Sequence, residues 1–338
     1  MSNNTGKAID IGSSVSRIAI PPIVLASVLV VASLDGALAQ GQAPDPARPV
    51  PQITFKSAVE LVTVTVSVRD DRGRIVRNLE KKDFDVIDDG KSREIRDFHM
   101  GDAAISLAVL LDISGSMSVG GNMERARDAV AVAMRSLGHP TDEAALYTFD
   151  SQLQEVVRFT TDLDRVRRVS LEGKPWGQTS LFDAIGHTAR LVADRTNRHR
   201  AVLVITDGVD TASRMKAAEV SGIASSIDVP VYLLTVVNPV DHKGGEFGVL
   251  QTDGKVAETA TLADLARWTG GDMRIASMPE HTVEAIGDLF LELRYQYILT
   301  FEPGERAGWH PLEIRTRNRN HVVHARSGYM SGPTRSGE

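Results

Sequence analysis

Three oxygen-bearing side chains at alternate positions, Asp112, Ser114 and Ser116, directly follow the apolar run Leu107–Leu111. The apolar run predicts a buried parallel strand, and the polar residues predict a loop at its carboxyl end. Gly115 eases a tight turn because glycine tolerates positive φ, and such a turn can aim the three oxygens at one point. With no Cys and no adjacent His, these oxygens favour a hard cation, Mg²⁺, Mn²⁺ or Ca²⁺, over Zn²⁺.

Two later segments offer further oxygen ligands, which octahedral Mg²⁺ needs because it takes six oxygens. Thr179 lies just before a helical pattern, so its hydroxyl is expected at a helix entrance. Asp207 ends a second apolar strand, Ala201–Asp207, and Gly208 follows it. Asp112 and Asp207 are therefore expected at the carboxyl ends of strands, where open α/β sheets bind ligands. For the first loop alone, an ordinary capped turn before a helix is the alternative, because Ser and Asp both cap helices well.

The ordered set of five residues resembles the metal-ion-dependent adhesion site of the von Willebrand factor type A (VWA) family. That site uses Asp-x-Ser-x-Ser, then a Thr after a Gly-containing loop, then an Asp in a strand-end Thr-Asp-Gly. The matching residues of this chain are Asp112, Ser114, Ser116, Thr179 and Asp207. The resemblance implies that the Ser and Thr hydroxyls ligate the metal directly, whereas the two Asp residues act mostly through water.

A metal bound mainly by neutral hydroxyls keeps most of its positive charge, so its open position prefers an anionic oxygen. We therefore expect a protein partner that offers an acidic side chain, Glu or Asp. Nucleic acid is not expected as a partner, because the net charge is −6 and the pI is near 5.9, whereas general nucleic-acid binders are basic. The sequence identifies neither the partner nor the oligomeric state.

The first 39 residues have the pattern of an export signal. A short, positively charged start and an apolar run, 18–34, precede Ala37-Leu38-Ala39, a small-x-small cleavage site. Cleavage near Ala39–Gln40 predicts a periplasmic or secreted protein. An uncleaved membrane anchor is the alternative, and membrane contact is expected only in that case. The chain has no Cys, which excludes disulfides and thiol catalysis.

Two β-rich segments flank a region in which strands alternate with helical patterns. The alternation predicts an α/β fold, a doubly wound and mostly parallel sheet of the VWA or Rossmann-like type. Neither flank has enough strands for a stable sheet of its own, so we predict that the two flanks pair into a small β-sandwich. The predicted segments are a signal peptide (1–39), a Pro-rich linker (40–57), an N-terminal β segment (58–101), a VWA domain (102–294) and a C-terminal β segment (295–330).

The flanks resemble a VWA-related family that is abundant in Acidobacteria and consists of predicted exported proteins of undefined role. The resemblance covers roughly residues 59–330, and the metal motif is its most specific part. The resemblance does not imply any particular substrate. In the flanks the similar stretches are Val68-Arg69-Asp70-Asp71-Arg72-Gly73, Lys82-Asp83-Phe84-Asp85-Val86 with Asp88-Asp89-Gly90, and Ala325-Arg326-Ser327-Gly328-Tyr329.

Together these features predict an exported, non-enzymatic VWA protein that binds a protein partner, as in cell adhesion, through a divalent metal that captures a partner carboxylate. A cell-envelope scaffold or assembly subunit with a structural metal is the alternative. A metal-dependent hydrolase is less favoured, and no catalytic residue is predicted. The chain has no G-x-S-x-G elbow, and Ser114 stands where phosphatases of the haloacid dehalogenase type need a second Asp.

Overall fold

A computed structural model describes residues 61–101, 103–238 and 256–332 of the chain. The predicted signal peptide and Pro-rich linker lie outside these residues. No helix in the described ranges has the length and apolar character needed to cross a membrane.

The described chain contains fourteen strands, six α-helices and two short 3₁₀ turns, at Lys81–Asp83 and Gly115–Ser118. The strands are β1 (Val62–Arg69), β2 (Phe84–Asp88), β3 (Lys91–Arg93), β4 (Ile95–Met100), β5 (Ile105–Asp112), β6 (Glu143–Phe149), β7 (Leu153–Thr160), β8 (His199–Thr206), β9 (Val231–Val236), β10 (Met273–Ala276), β11 (Tyr297–Phe301), β12 (Gly308–Thr316), β13 (Val322–Ala325) and β14 (Gly328–Ser331). The helices are α1 (Asn122–Ser136), α2 (Leu163–Arg167), α3 (Leu181–Ala193), α4 (Ala217–Ser226), α5 (Val256–Trp268) and α6 (Pro279–Arg294).

The central sheet has six strands in the order β10-β9-β8-β5-β6-β7, and only β7 runs antiparallel to its neighbour. Strand β5 lies between β8 and β6, and all eight of its residues are buried. Its side chains alternate between two cores: Leu107 packs with α1 and α6, whereas Leu110 packs with α3, α4 and α5. Helices therefore cover both faces of the sheet, which confirms the predicted doubly wound α/β fold.

Two small antiparallel sheets are built from the flanking segments, in the orders β13-β1-β11-β4 and β14-β12-β2-β3. Each sheet combines strands that precede β5 with strands that follow α6, so the predicted pairing of the flanks is confirmed. One shared core, which includes Val66, Tyr297, Phe301 and Tyr329, lies between them. The segment limits at 58, 102 and 295 stay predictions.

The alternation of Val with Thr and Ser in β1 predicts a strand with one solvated face, but Thr63 alone of its eight residues is exposed. Val64 and Val66 point into the core of the flanking sheets. Thr65 on the other face is only 8% exposed, because its hydroxyl donates a 2.7 Å hydrogen bond to Asp228 in the turn after α4. The second face of β1 therefore packs against the α/β domain.

Candidate metal site

The carboxyl ends of β5 and β8 place the first two polar groups of the candidate site. Asp112 is the last residue of β5 and Thr206 is the last residue of β8, and the strands are paired in parallel register up to Leu111 and Ile205. Asp207 follows Thr206 directly, and its charge acts on the Asp112 carboxyl. The two carboxylates therefore lie at the same edge of the sheet, where ligands of open α/β sheets bind.

Asp112 is fully buried, and each of its carboxylate oxygens accepts a hydrogen bond. The amide N–H of Ser114 donates to Oδ1 over 2.8 Å, and the hydroxyl of Thr206 donates to Oδ2 over 2.6 Å. Burial raises the pKa of the Asp112 carboxyl to about 6, while the bonds from Thr206 and Ser114 oppose that rise and the charge of Asp207 adds to it. A cation at this edge would relieve the cost of holding these two carboxylates close together.

The loop after β5 brings two hydroxyls together. The Oγ atoms of Ser114 and Ser116 lie 3.1 Å apart, and Ser114 is fully buried. Ser114 stands at the N-cap position of the 3₁₀ turn Gly115–Ser118, but its side chain forms no capping hydrogen bond there. The helix α1 begins only at Asn122, with Gly121 as its N-cap residue. The capped-turn alternative therefore does not account for the two Ser side chains.

The loop that carries Thr179 is joined to the loop after β5 by two backbone hydrogen bonds. Trp176 N–H donates to the carbonyl of Ile113 over 2.9 Å, and Gly115 N–H donates to the carbonyl of Gly177 over 3.0 Å. Gly177 has a φ of +89°, which a residue with a Cβ adopts only under strain. The geometry of this one glycine therefore sets how Thr179 approaches the loop of Ser114 and Ser116.

Thr179 is 2% exposed, and its backbone is held on both sides. Its N–H donates to the hydroxyl of Thr211 over 2.9 Å, and its carbonyl accepts from the N–H groups of Thr211 and Ala212. Within the described ranges, the Thr179 hydroxyl itself forms no hydrogen bond. The backbone bonds thus fix the position of Thr179, and its hydroxyl is left available to a ligand.

A group of residues that sequence reasoning missed fixes the loop after β8 to the start of α3. Asp210 accepts hydrogen bonds from the N–H of Leu181 over 2.8 Å and from the hydroxyl of Ser213 over 2.6 Å. Asp183 in turn accepts from the N–H of Met215 over 2.9 Å. Polar residues are common at helix starts, so hydrogen bonds at the start of α3 could be expected from the sequence. The sequence does not indicate that residues 210–215 supply the partners of these bonds.

Asp150 is a third strand-end carboxylate that sequence reasoning passed over, although it follows β6 as Asp112 ends β5. The backbone of Phe149 pairs with Asp112, and the carbonyl of Asp150 accepts a 2.7 Å hydrogen bond from Ser180 N–H. The Asp150 side chain lies beside Gly177, because a Cβ atom at position 177 would be only 3.6 Å from Oδ2 of Asp150. The signal for Asp150 was its position after an apolar strand.

The residues present fit a hard divalent cation. No group of three or more His, Cys, Asp or Glu side chains in the described part of the chain is arranged to hold a metal. A cation at this edge would therefore be held mainly by hydroxyls, with Ser114, Ser116 and Thr179 as the candidate ligands. Asp112 and Asp207 would act mostly through water. This assignment of the five residues stays a prediction.

One known family model matches a part of the α/β region. Residues 107–209 match the family model of the von Willebrand factor type A domain. No curated protein matches the sequence at a significant level. The finer resemblance to the acidobacterial family stays a prediction.

Solved structures to which the chain is similar include two proteins from Bacteroides and one from Catenulispora acidiphila. An aerotolerance-related membrane protein from Bacteroides fragilis NCTC 9343, carrying multiple mutations to serine, is 20% identical over 56% of this chain and 98% of that chain, with a TM-score of 0.44. BatB from Bacteroides thetaiotaomicron is 18% identical over 55% and 98%, with a TM-score of 0.41. The von Willebrand factor type A protein from Catenulispora acidiphila is 10% identical over 84% and 77%, with a TM-score of 0.43. The segment 107–209 is thus similar to a VWA domain.

Proposed function

We propose that this VWA domain protein binds a protein partner through a divalent cation, Mg²⁺, Mn²⁺ or Ca²⁺, held by Ser114, Ser116 and Thr179 and supported by Asp112 and Asp207. When bound, the cation supplies a Lewis-acidic position for a carboxylate oxygen of a partner Asp or Glu. The observation that carries the proposal is the pair of Ser hydroxyls 3.1 Å apart above the buried, doubly hydrogen-bonded carboxylate of Asp112.

The chain's own residues would orient the site before any partner arrives. Thr206 and the Ser114 backbone fix the Asp112 carboxylate, so no side-chain rearrangement is needed to present it. The hydrogen bond from Gly115 to Gly177 fixes the Thr179 loop against the Ser loop. Preorganisation of this kind raises affinity because less conformational freedom is lost on binding.

The protein acts outside the cytoplasm in this proposal, as a periplasmic or secreted molecule released by cleavage near Ala39–Gln40. The export pattern of the first 39 residues supports this location. No catalytic role is proposed, since a hydroxyl-rich metal position that takes a carboxylate needs no nucleophile or general base.

Calorimetric titration of Mg²⁺, Mn²⁺ and Ca²⁺ into the full chain, with and without acetate as a soluble carboxylate, tests the proposal. We expect one-site binding that strengthens with acetate and is lost in Asp112→Ala and Thr179→Ala. Asp194→Ala, at an exposed carboxylate after α3, is the matched control and should bind as the wild type does. Absence of metal binding by the wild type, even with acetate, would refute the proposal.

A structural metal in a cell-envelope scaffold would give a different result in the same experiment. Chelation would then lower the unfolding temperature, but acetate would leave metal affinity unchanged because the metal would have no open position. Hydrolysis of a phosphoester in the presence of the metal would instead favour the hydrolase alternative.

A further inference from the structure

A polar cavity of about 340 Å³ lies where the flanking sheet packs against the α/β domain. One wall comes from β1, β4 and β11 of the flanking sheet, and the other comes from the start of β8 and the turn after α4. We call it the seam cavity. It lies at the amino end of β8, whereas the candidate metal site lies at the carboxyl end of that strand. The two sites are therefore separate.

Hydroxyl groups line the flanking-sheet wall of the seam cavity. Thr63 of β1 pairs in register with Thr300 of β11, and their Oγ1 atoms are 3.4 Å apart. Asp97 of β4 continues the same row, but its carboxylate is bonded to His99 over 2.7 Å. The wall thus offers hydroxyl donors next to a carboxylate that already has its own partner.

Two arginines form the opposite wall. Arg198 and Arg200 lie on either side of the buried His199 in the extended chain that begins β8, so their side chains emerge on the same face. Neither forms an ion pair with any residue in the described ranges. Arg200 donates from Nη1 to the carbonyl of Ala193 over 2.6 Å, and its buried Nε has no hydrogen-bond partner there.

A third arginine adds to the positive charge at this seam. Arg326 is 4% exposed and lies 3.4 Å from Asp228, while Asp228 also accepts hydrogen bonds from the hydroxyl and N–H of Thr65. Burial lowers the pKa of the Arg326 guanidinium, and the nearby charge of Arg200 lowers it further although Asp228 opposes both. The seam therefore holds three guanidiniums against two carboxylates, Asp97 and Asp228, and Asp228 is ion-paired with Arg326, so positive charge is in excess.

We propose that the seam cavity binds a small organic oxyanion, held by the guanidiniums of Arg198 and Arg200 and by the hydroxyls of Thr63 and Thr300. The planar guanidinium presents a fork of N–H donors that matches phosphate and carboxylate oxygens. The volume exceeds what a bare phosphate group needs and lies near the lower end of small-molecule sites, roughly 300–1,000 Å³. The ligand is therefore a compact molecule of sugar size that carries a phosphate or carboxylate group.

Calorimetry with the full chain tests the seam cavity, using glucose 6-phosphate, glucuronate, inorganic phosphate and glucose at ionic strength matched with chloride. We expect at least one of the two charged sugars to bind in a single site more tightly than inorganic phosphate, and glucose not to bind. Glucose 6-phosphate and glucuronate distinguish a phosphate from a carboxylate ligand. EDTA should leave the binding unchanged, which separates this result from the candidate metal site.

Arg198→Gln and Arg200→Gln should each weaken that binding at least tenfold, and Thr300→Val should weaken it less. Arg198 is exposed, so its replacement should not prevent folding. Arg319→Gln, at an exposed arginine outside the cavity, is the matched control and should leave the affinity unchanged. No binding of either charged sugar, or binding that all three arginine variants retain equally, would overturn the proposal.

Discussion

The hydroxyl of Thr206 donates a 2.6 Å hydrogen bond to Oδ2 of Asp112, joining the carboxyl ends of two adjacent parallel strands. The same Thr206 oxygen accepts a 3.0 Å bond from the N–H of Gly208, so one side chain fixes both the carboxylate and the loop that carries Asp207.

Groups that orient a metal site through a second contact typically change affinity about 10- to 100-fold when lost. Thr206→Val should therefore weaken Mg²⁺ binding by about that factor in calorimetry, less than Asp112→Ala does.

Thr235→Val is the matched control for Thr206→Val. Thr235 lies beside Thr206 in the register of β8 and β9, is equally buried, and has a hydroxyl that finds no hydrogen-bond partner in the described structure. The same chemical change there should leave Mg²⁺ affinity intact. Equal effects of the two variants on the affinity would show that the Thr206–Asp112 bond does not orient the site.

Gly177→Ala should destabilise the Thr179 loop. A φ of +89° costs an L-residue about 1–2 kcal/mol, and the carbonyl of Gly177 would shift from the N–H of Gly115. We expect the free energy of unfolding in urea to fall by that amount and Mg²⁺ affinity to fall with it. Gly173→Ala, at a glycine without positive φ and with open space around its Cα, should change neither quantity. A Gly177→Ala variant with wild-type stability would mean that this loop geometry is not required.

The elements that carry the candidate site were predictable from sequence because their signals are local. Strand β5 is an apolar run that ends in polar residues. The sequence also predicts a helix over 279–294, the bounds that α6 has, and Pro279 is a residue favoured at a helix start. The sequence does not predict strand β10, Met273–Ala276, because four residues of mixed burial give no clear period. Short strands at a sheet edge depend on their neighbour for recognition.

Contacts between distant segments could not be read from the sequence. The spacing of His321 and His324 in a predicted strand indicates two surface residues, but the ring of His324 lies 3.5 Å from Glu292, because β13 pairs with β1. The stretch Asp88-Asp89-Gly90 predicts only a hairpin turn, yet Asp88 is fully buried and bonded to His310, 222 residues further along the chain. Both partners are set by the pairing of the flanks, and the sequence predicts that pairing without its register.

Asp88→Asn should destabilise the flanking sheets strongly. The buried carboxylate accepts from His310 over 2.8 Å, from Gly304 N–H over 2.8 Å and from Arg93 over 3.0 Å, and the amide would leave these donors poorly matched. Loss of one partner from a buried charged group costs about 3–5 kcal/mol, which urea unfolding would measure. Asp89→Asn, at the neighbouring exposed turn residue, should cost well below 1 kcal/mol because Asn tolerates its φ of +50°. Similar losses in the two variants would contradict this role of Asp88.

Glu292→Gln should make the stability of the protein depend differently on pH. Glu292 is fully buried in α6, where it accepts from Arg69 over 2.7 Å and from Tyr232 over 2.9 Å. Burial by itself would raise the pKa of the Glu292 carboxyl, but His324 and Arg69 outweigh it and lower that pKa from 4.5 to about 2. A lowered carboxyl pKa contributes stability that is present above pH 4.5 and lost as the pH falls towards 2, on the order of 3 kcal/mol here.

His324, the partner of Glu292, makes the stability of the protein change in the opposite direction, because its contribution is lost as the pH rises. Burial lowers the pKa of the His324 imidazole, but the Glu292 carboxylate 3.5 Å away raises that pKa above the ordinary 6.5. The charged His therefore contributes stability below pH 6.5 that is lost as the pH rises through the raised value. The gap between wild type and Glu292→Gln should therefore be largest between pH 4.5 and 6.5 and shrink on both sides, in urea unfolding at a series of pH values. Glu284→Gln, at an exposed position of the same helix, should show no such gap. A deficit of Glu292→Gln that stays constant from pH 2 to 8 would show that the contact acts through packing and not through charge, because packing does not titrate.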